Sequence, residues 1–191
     1  MKRLSTLFAI VTSLTIAGSV VAASTLATQT SGLGFASLSG TSATIGVGGS
    51  GASGHALVYP RGKATSAGKL LADVDFSATV TAGSTVAGGA PRLTVPIDTT
   101  GDGKWDNFAT LDWNSCQGTA TSGTLNSTVI MSTAELGCHV YLNYGPGYFA
   151  NWDALVAAHP TWRVASGSTS RPFVIVDWAP TNVDLTGIDL S

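Results

Sequence analysis

Charge is scarce in this chain of 191 residues: Asp, Glu, Lys and Arg together make up 10% of it. Glutamate is nearly missing. Ten of the eleven acidic residues are Asp, and Glu135 is the only Glu. Glu and Lys are good helix formers, so their scarcity beside abundant Gly, Ser, Thr and Val argues for strands joined by turns. Asp fits turns, where its short side chain bonds nearby backbone. No basic patch is present to hold phosphates, which excludes nucleic acid as an expected partner. Cysteine is limited to Cys116 and Cys138. In an exported chain a disulfide between them is the simplest reading, with two free buried thiols as the alternative. Catalytic signatures are missing as well. There is no Gly-x-Ser-x-Gly elbow and no His-Glu-x-x-His helix. His55, His139 and His159 are scattered. Asp75, Asp112 and Asp177, from which a glycosidase pair would have to be assembled, fall at polar positions of alternating strands and read as solvated. The expectation is a protein that is not an enzyme.

The N-terminus does carry a signal. Met1-Lys2-Arg3 is followed by an apolar run from Leu4 to about Ile16 and then by small residues through Ser24. A basic start, a short apolar stretch and a small-residue end make a secretory leader over residues 1–23. Ser and Thr interrupt the run, which suits a membrane span of ~20 apolar residues poorly. No later segment is long and apolar enough to cross a bilayer. The chain is therefore expected to be secreted. Losing Lys2 and Arg3 with the leader leaves seven basic against eleven acidic residues, a charge of about −4. Residues 24–31 are small and polar and read as a loose N-terminus. Residues 32–191 fit one domain, large enough to bury a real core.

Period two dominates that domain. Val74, Phe76, Ala78 and Val80 alternate with Asp75, Ser77, Thr79 and Thr81, the pattern of a half-buried strand. Leu93, Val95 and Ile97 alternate with Arg92, Thr94 and Pro96. Pro96 cannot donate to a ladder, so it belongs at an edge, a bulge or an unpaired side. Further strands are expected near residues 34–38, 43–47, 55–59, 108–113, 128–131, 138–143, 173–178 and 183–190, with an irregularity at Gly187. Residues 115–123 read as loop. One helix is expected over about 151–159. Asn151 caps it, Trp152, Leu155, Val156 and His159 form its stripe, and Pro160 stops it. These elements predict an all-β fold of two packed antiparallel sheets, jelly-roll-like by first choice and immunoglobulin-like by second.

Two places combine structure with possible ligand chemistry. The first is the turn Asp98-Thr99-Thr100-Gly101-Asp102-Gly103-Lys104-Trp105-Asp106. Calcium needs hard oxygen ligands on a sharply turning backbone. With Asp98 in the first position, Thr100, Asp102 and Asp106 fall at the third, fifth and ninth, and Gly103 at the sixth. This resembles the Asp-rich calcium loops of dockerins and thrombospondin-type repeats. Thr100 stands where Asp or Asn is usual, Ala109 where the bidentate Glu belongs, and the flanks are strand-like. The other reading is a plain hairpin connection holding no ion. The second place is aromatic. Tyr141, Tyr144, Tyr148, Trp152 and Trp162 cluster in sequence. Tyr144, Tyr148 and Trp162 are candidates to stack on the apolar faces of sugars, so extracellular or cell-wall glycan is the expected partner. The alternative is that these rings pack helix against sheet, which suits Trp152 best.

From Val74 onward the order of features is similar to a group of small secreted proteins of actinobacterial type. It runs from Val-Asp-Phe-Ser-Ala-Thr-Val through Gly-Gly-Ala-Pro-Arg-Leu at residues 88–93 and the acidic turn. The Trp-Asp-Ala-Leu-Val helix, Phe-Val-Ile-Val-Asp-Trp and a final Asn-Val-Asp-Leu strand follow. Gly-Gly-x-Pro-Arg is the most specific element. The resemblance implies a secreted β-sandwich akin to carbohydrate-binding modules and assigns no catalytic residue. Residues 1–73 lie outside it.

Overall fold

The computed structural model describes residues 26–117, 122–145 and 147–191. The leader read over residues 1–23 lies outside them. The described chain opens as a bent ribbon. Strand β1 (Leu26–Gly32) pairs with β4 (Gly54–Pro60), and β2 (Gly34–Ser39) pairs with β3 (Ser42–Gly51). At Leu33 the ribbon passes from one sheet to the other. The Leu33 amide donates to the Ser53 carbonyl at 3.1 Å, and the Gly48 amide to the Leu33 carbonyl at 3.0 Å. Glycine is required at this corner: a Cβ on Gly34 would strike the His55 carbonyl, and one on Gly54 the Ser31 carbonyl.

The remaining strands are β5 (Ser77–Val80), β6 (Thr85–Val86), β7 (Arg92–Asp98), β8 (Asn107–Asp112), β9 (Gly123–Thr124) and β10 (Val129–Ser132). After them come β11 (Val140–Leu142), β12 (Tyr148–Phe149), β13 (Arg163–Val164), β14 (Phe173–Val176) and β15 (Ala179–Asp189). The larger sheet has the order β1-β4-β14-β7-β8-β11-β12, with β13 on β7 beside β14. The smaller has the order β10-β5-β15-β3-β2, with β6 on β15 and β9 on β6. The pairings are antiparallel, so the fold is the expected two-sheet all-β sandwich. The last two strands close it from within: β14 lies between β4 and β7, and β15 between β3 and β5.

The alternating residues make the core. Leu93, Val95, Ile97, Leu111, Val174 and Val176 of the large sheet are fully buried, as are Ile45, Ala78, Val80, Val183 and Leu185 of the small one. Each such Val, Leu or Ile stabilises by about 1.5–3 kcal/mol relative to exposure. Helix α2 (Trp152–Ala158) falls inside the expected span. The Asn151 Oδ1 accepts from the Ala154 amide at 2.9 Å, and Trp152 and Leu155 are buried. The Trp152 indole N–H donates to the Leu71 carbonyl at 3.1 Å. Among the described residues no helix is long and apolar enough to cross a membrane.

Two local expectations change, and the place of Pro96 is decided. The segment read as loose carries β1 from Leu26 onward; its pairing partner is distant in sequence, so its own composition gives no sign of order. The stretch after Asp112 is a short helix, α1 (Trp113–Gln117), not the end of a strand and a loop. Asp112 starts it by accepting the Ser115 amide at 2.9 Å. Pro96 takes the unpaired side, one of its three expected places, inside the large sheet. On that side β14 pairs with β7 up to Thr94 and β13 from Ile97, so the missing N–H falls between two successive partners. The disulfide is present: Cys116 of α1 joins Cys138, just before β11, with an S–S distance of 2.06 Å.

Candidate functional site

The connection between β7 and β8 is built by two carboxylates that fold its backbone around themselves. Asp98 is only 3% exposed. Its Oδ1 accepts the amides of Thr100 at 3.1 Å and Gly101 at 2.6 Å, and its Oδ2 accepts the Gly103 amide at 2.7 Å. Burial alone would raise its pKa. The three amides oppose burial and prevail, so the carboxyl ionises below its usual range. Asp106 does the same from the other side. Its Oδ2 accepts the Thr99 amide at 2.8 Å and hydroxyl at 2.9 Å, and these bonds lower its pKa. Asp102 points outward, accepting the Lys104 amide at 2.8 Å and facing the Lys104 ammonium at 3.3 Å. The Gly103 carbonyl accepts the amides of Ser166 at 2.9 Å and Gly167 at 3.0 Å, docking the turn on the chain after β13. Of the residues read as a calcium set, Asp98, Thr100 and Asp106 are thus bonded to one another through the turn. Among the described residues no three His, Cys, Asp or Glu side chains converge as metal ligands.

The turn presents Trp105, which is 45% exposed. Asn107, the first residue of β8, brings Tyr144 beside it. Its Nδ2 donates to the Tyr144 carbonyl at 2.7 Å, and its Oδ1 accepts the Tyr144 amide at 3.0 Å. Trp105 and Tyr144 then stack at 6.4 Å with planes 25° apart. Phe108 lies 4.9 Å from Trp105 and 6.4 Å from Tyr144. It reaches Phe173 of β14 edge-on at 6.2 Å. Trp105, Phe108 and Tyr144 thus form a cluster on the outer face of the large sheet, which Phe173 extends.

The cluster runs into a shallow groove on the same face, about 280 Å³ in volume, lined by Gln29, Leu57, Tyr59, Thr169, Arg171 and Phe173. Arg171 closes one side, with its guanidinium carbon 5.5 Å from the centre of the Tyr59 ring. Polar groups accompany the rings. The Thr110 hydroxyl donates to Asn143 Oδ1 at 3.1 Å and lies 3.4 Å from the Thr94 hydroxyl. Those two hydroxyls are buried; the polar groups open to a ligand are Gln29, Thr169 and Arg171 of the groove, and rings beside such groups suit an amphipathic ligand such as a sugar.

Farther along the face, Arg92 pairs with Asp177 at 2.5 Å and lies opposite Asp112 across β7 and β8. Tyr141 lies beside them. Burial pushes its phenol up to about 12, against the opposing pull of Arg92, with Asp112 and Asp177 adding to the rise. Asp112 and Asp177, two residues that read as solvated, therefore have structural tasks. One starts α1 and the other neutralises Arg92.

The candidate rings separate. Tyr144, 56% exposed, joins the cluster. Tyr148, 67% exposed, is apart on β12, with its hydroxyl on His139 Nδ1. Trp162 is half-buried against the core and stacks on His159 at 3.6 Å with planes 5° apart. Sequence reasoning missed Trp105, Phe108 and Phe173. Phe108 falls on the polar phase of its alternating strand, which was the available signal, whereas Phe173 opens the continuous apolar run Phe-Val-Ile-Val, which gives none. No protein-family model, curated protein or solved structure matches this chain.

Proposed function

We propose that this chain is an exported, non-catalytic β-sandwich that binds extracellular or cell-wall glycan across the outer face of its large sheet. The cluster of Trp105, Tyr144, Phe108 and Phe173 carries the reading, because it gathers four rings on one face, with Trp105 and Tyr144 stacked and partly exposed. The leader-like N-terminus supports export. Against catalysis stand the structural tasks of Asp112 and Asp177, whose Oδ1 atoms start α1 and pair with Arg92.

Retention on a panel of insoluble and gel-entrapped polysaccharides tests the proposal. Wild-type protein is retained on at least one, and Trp105→Ala and Tyr144→Ala each weaken retention. A stacked ring contributes about 0.5–1.5 kcal/mol beyond its buried area, so each loss is roughly two- to tenfold. Wild-type flow-through on every polymer leaves a scaffold or adhesive surface protein with no small ligand. Turnover of a glycan, abolished by Asp112→Asn or Asp177→Asn, replaces the proposal with a hydrolase.

A further inference from the structure

Between Arg3 and Arg61 the sequence contains no Asp, Glu, Lys or Arg, and its first proline is Pro60. The described part of that stretch is the bent ribbon β1–β4, and among the described residues β2 is the edge strand of the small sheet. Natural proteins blunt a sheet edge with charge, proline, bulges, very short strands or a covering element. The opposite edges here are treated in that way. Strand β12 has two residues. Strand β10 has four, and Cys138 Sγ of the disulfide lies 3.6 Å from its Ile130 carbonyl. Strand β2 has six residues, Gly-Phe-Ala-Ser-Leu-Ser, pairs with β3 in unbroken register and carries none of these protections.

We propose that β2 is the surface through which two copies of this chain pair, edge to edge and antiparallel, about a two-fold axis. The absence of charge is the argument for a second copy over an unrelated strand. Across a two-fold axis the same short stretch meets itself, so a charge on it faces its own sign, and like charges opposite each other in a sheet are destabilising. Strand β2 and its partner β3 avoid this completely. Large apolar groups also lie beside the edge. Leu33 is 57% exposed and Phe35 42% exposed. The Phe35 ring leans inward over Gly46 of β3, where a Cβ would strike it, which leaves the outer side of β2 clear for a second strand. Main-chain hydrogen bonds supply the attraction, as in other strand additions. The small sheet then continues across the axis, and the large sheet's aromatic face remains open on each copy.

Sedimentation equilibrium of the purified protein lacking residues 1–23 tests this. A dimer that dissociates on dilution is expected. Ser37, exposed on β2, is the site for variants. Ser37→Lys and Ser37→Asp each raise the dimer Kd at least about tenfold, because two like charges meet near the axis. An equimolar mixture of the two recovers association as a heterodimer, which a merely misfolded chain would not do. Ile130→Lys, on the opposite edge, leaves Kd unchanged. The proposal is overturned by a wild-type monomer at every concentration, by a dimer indifferent to Ser37→Lys, or by a mixture that fails to associate.

Discussion

Asn107 holds Tyr144 by both of its backbone polar groups, donating to its carbonyl at 2.7 Å and accepting from its amide at 3.0 Å. One buried amide side chain thereby fixes two loops from distant parts of the chain against each other and sets the spacing of Trp105 and Tyr144. Asn107→Leu removes that clamp and leaves the ring in place. Unpaired backbone at this point costs about 1–3 kcal/mol. Thermal melting detects the loss, and weaker glycan retention with Tyr144 intact shows that position, not only ring chemistry, is needed.

Phe108 and Phe173 meet above β7, each from a strand flanking it. In register Phe173 lies beside Thr94 and Phe108 beside Pro96, and both of these outward-facing residues are buried. A double-mutant cycle of Phe108→Ala and Phe173→Ala should give a coupling of about 0.5–1.5 kcal/mol in denaturant unfolding. Strict additivity would mean the rings do not touch in solution.

The disulfide between Cys116 and Cys138 closes a loop of sequence separation 22. Its removal by Cys116→Ser with Cys138→Ser is expected to destabilise by about 3 kcal/mol in the chain-entropy model. Melting with and without reductant reads this directly, and the double variant should no longer respond to reductant.

Asp98 ionises below its usual value of 3.8 when folded. A lowered folded pKa means that the unfolded chain takes up the proton first, so this stability is present above about pH 4 and is lost as pH falls through the lowered folded value. Asp98→Asn should be less stable at neutral pH by about 1–3 kcal/mol. Its stability should also fall less steeply below pH 4 than that of wild type. Parallel pH profiles would contradict the assignment.

Calcium separates the two readings of this turn. Because Asp98 and Asp106 already accept the turn's own N–H groups, added calcium is expected to leave the melting temperature unchanged in the presence or absence of chelator. A rise with millimolar calcium that Asp102→Ala erases would show that these oxygens turn outward to an ion, at the weak end typical of extracellular modules.

Tyr141 titrates near 12. A raised folded pKa on a phenol means that stability is full below pH 10 and declines as pH climbs toward 12. Ultraviolet titration should show a late phenolate step, and Tyr141→Phe should remove it.

Period two made the sandwich legible in advance, because burial on one face of a strand writes itself into every second residue; Leu93, Val95 and Ile97 illustrate it. The helix over 152–158 was legible for a similar local reason, its cap and stripe being neighbours in sequence. Asp98 and its glycines marked a turn, and Cys116 and Cys138 a bridge, since each needs only residue type and spacing. What tertiary structure alone decided is which outward residues share a surface. Trp105, Phe108, Tyr144 and Phe173 become one cluster because β14 inserts beside β7 and Asn107 seizes the Tyr144 backbone. Strand order across a sheet comes from long-range pairing, and period two is the same whichever strand lies next door. The same holds for Leu26–Gly32: its small polar residues look disordered by themselves and become a strand only because residues 54–60 return to meet them.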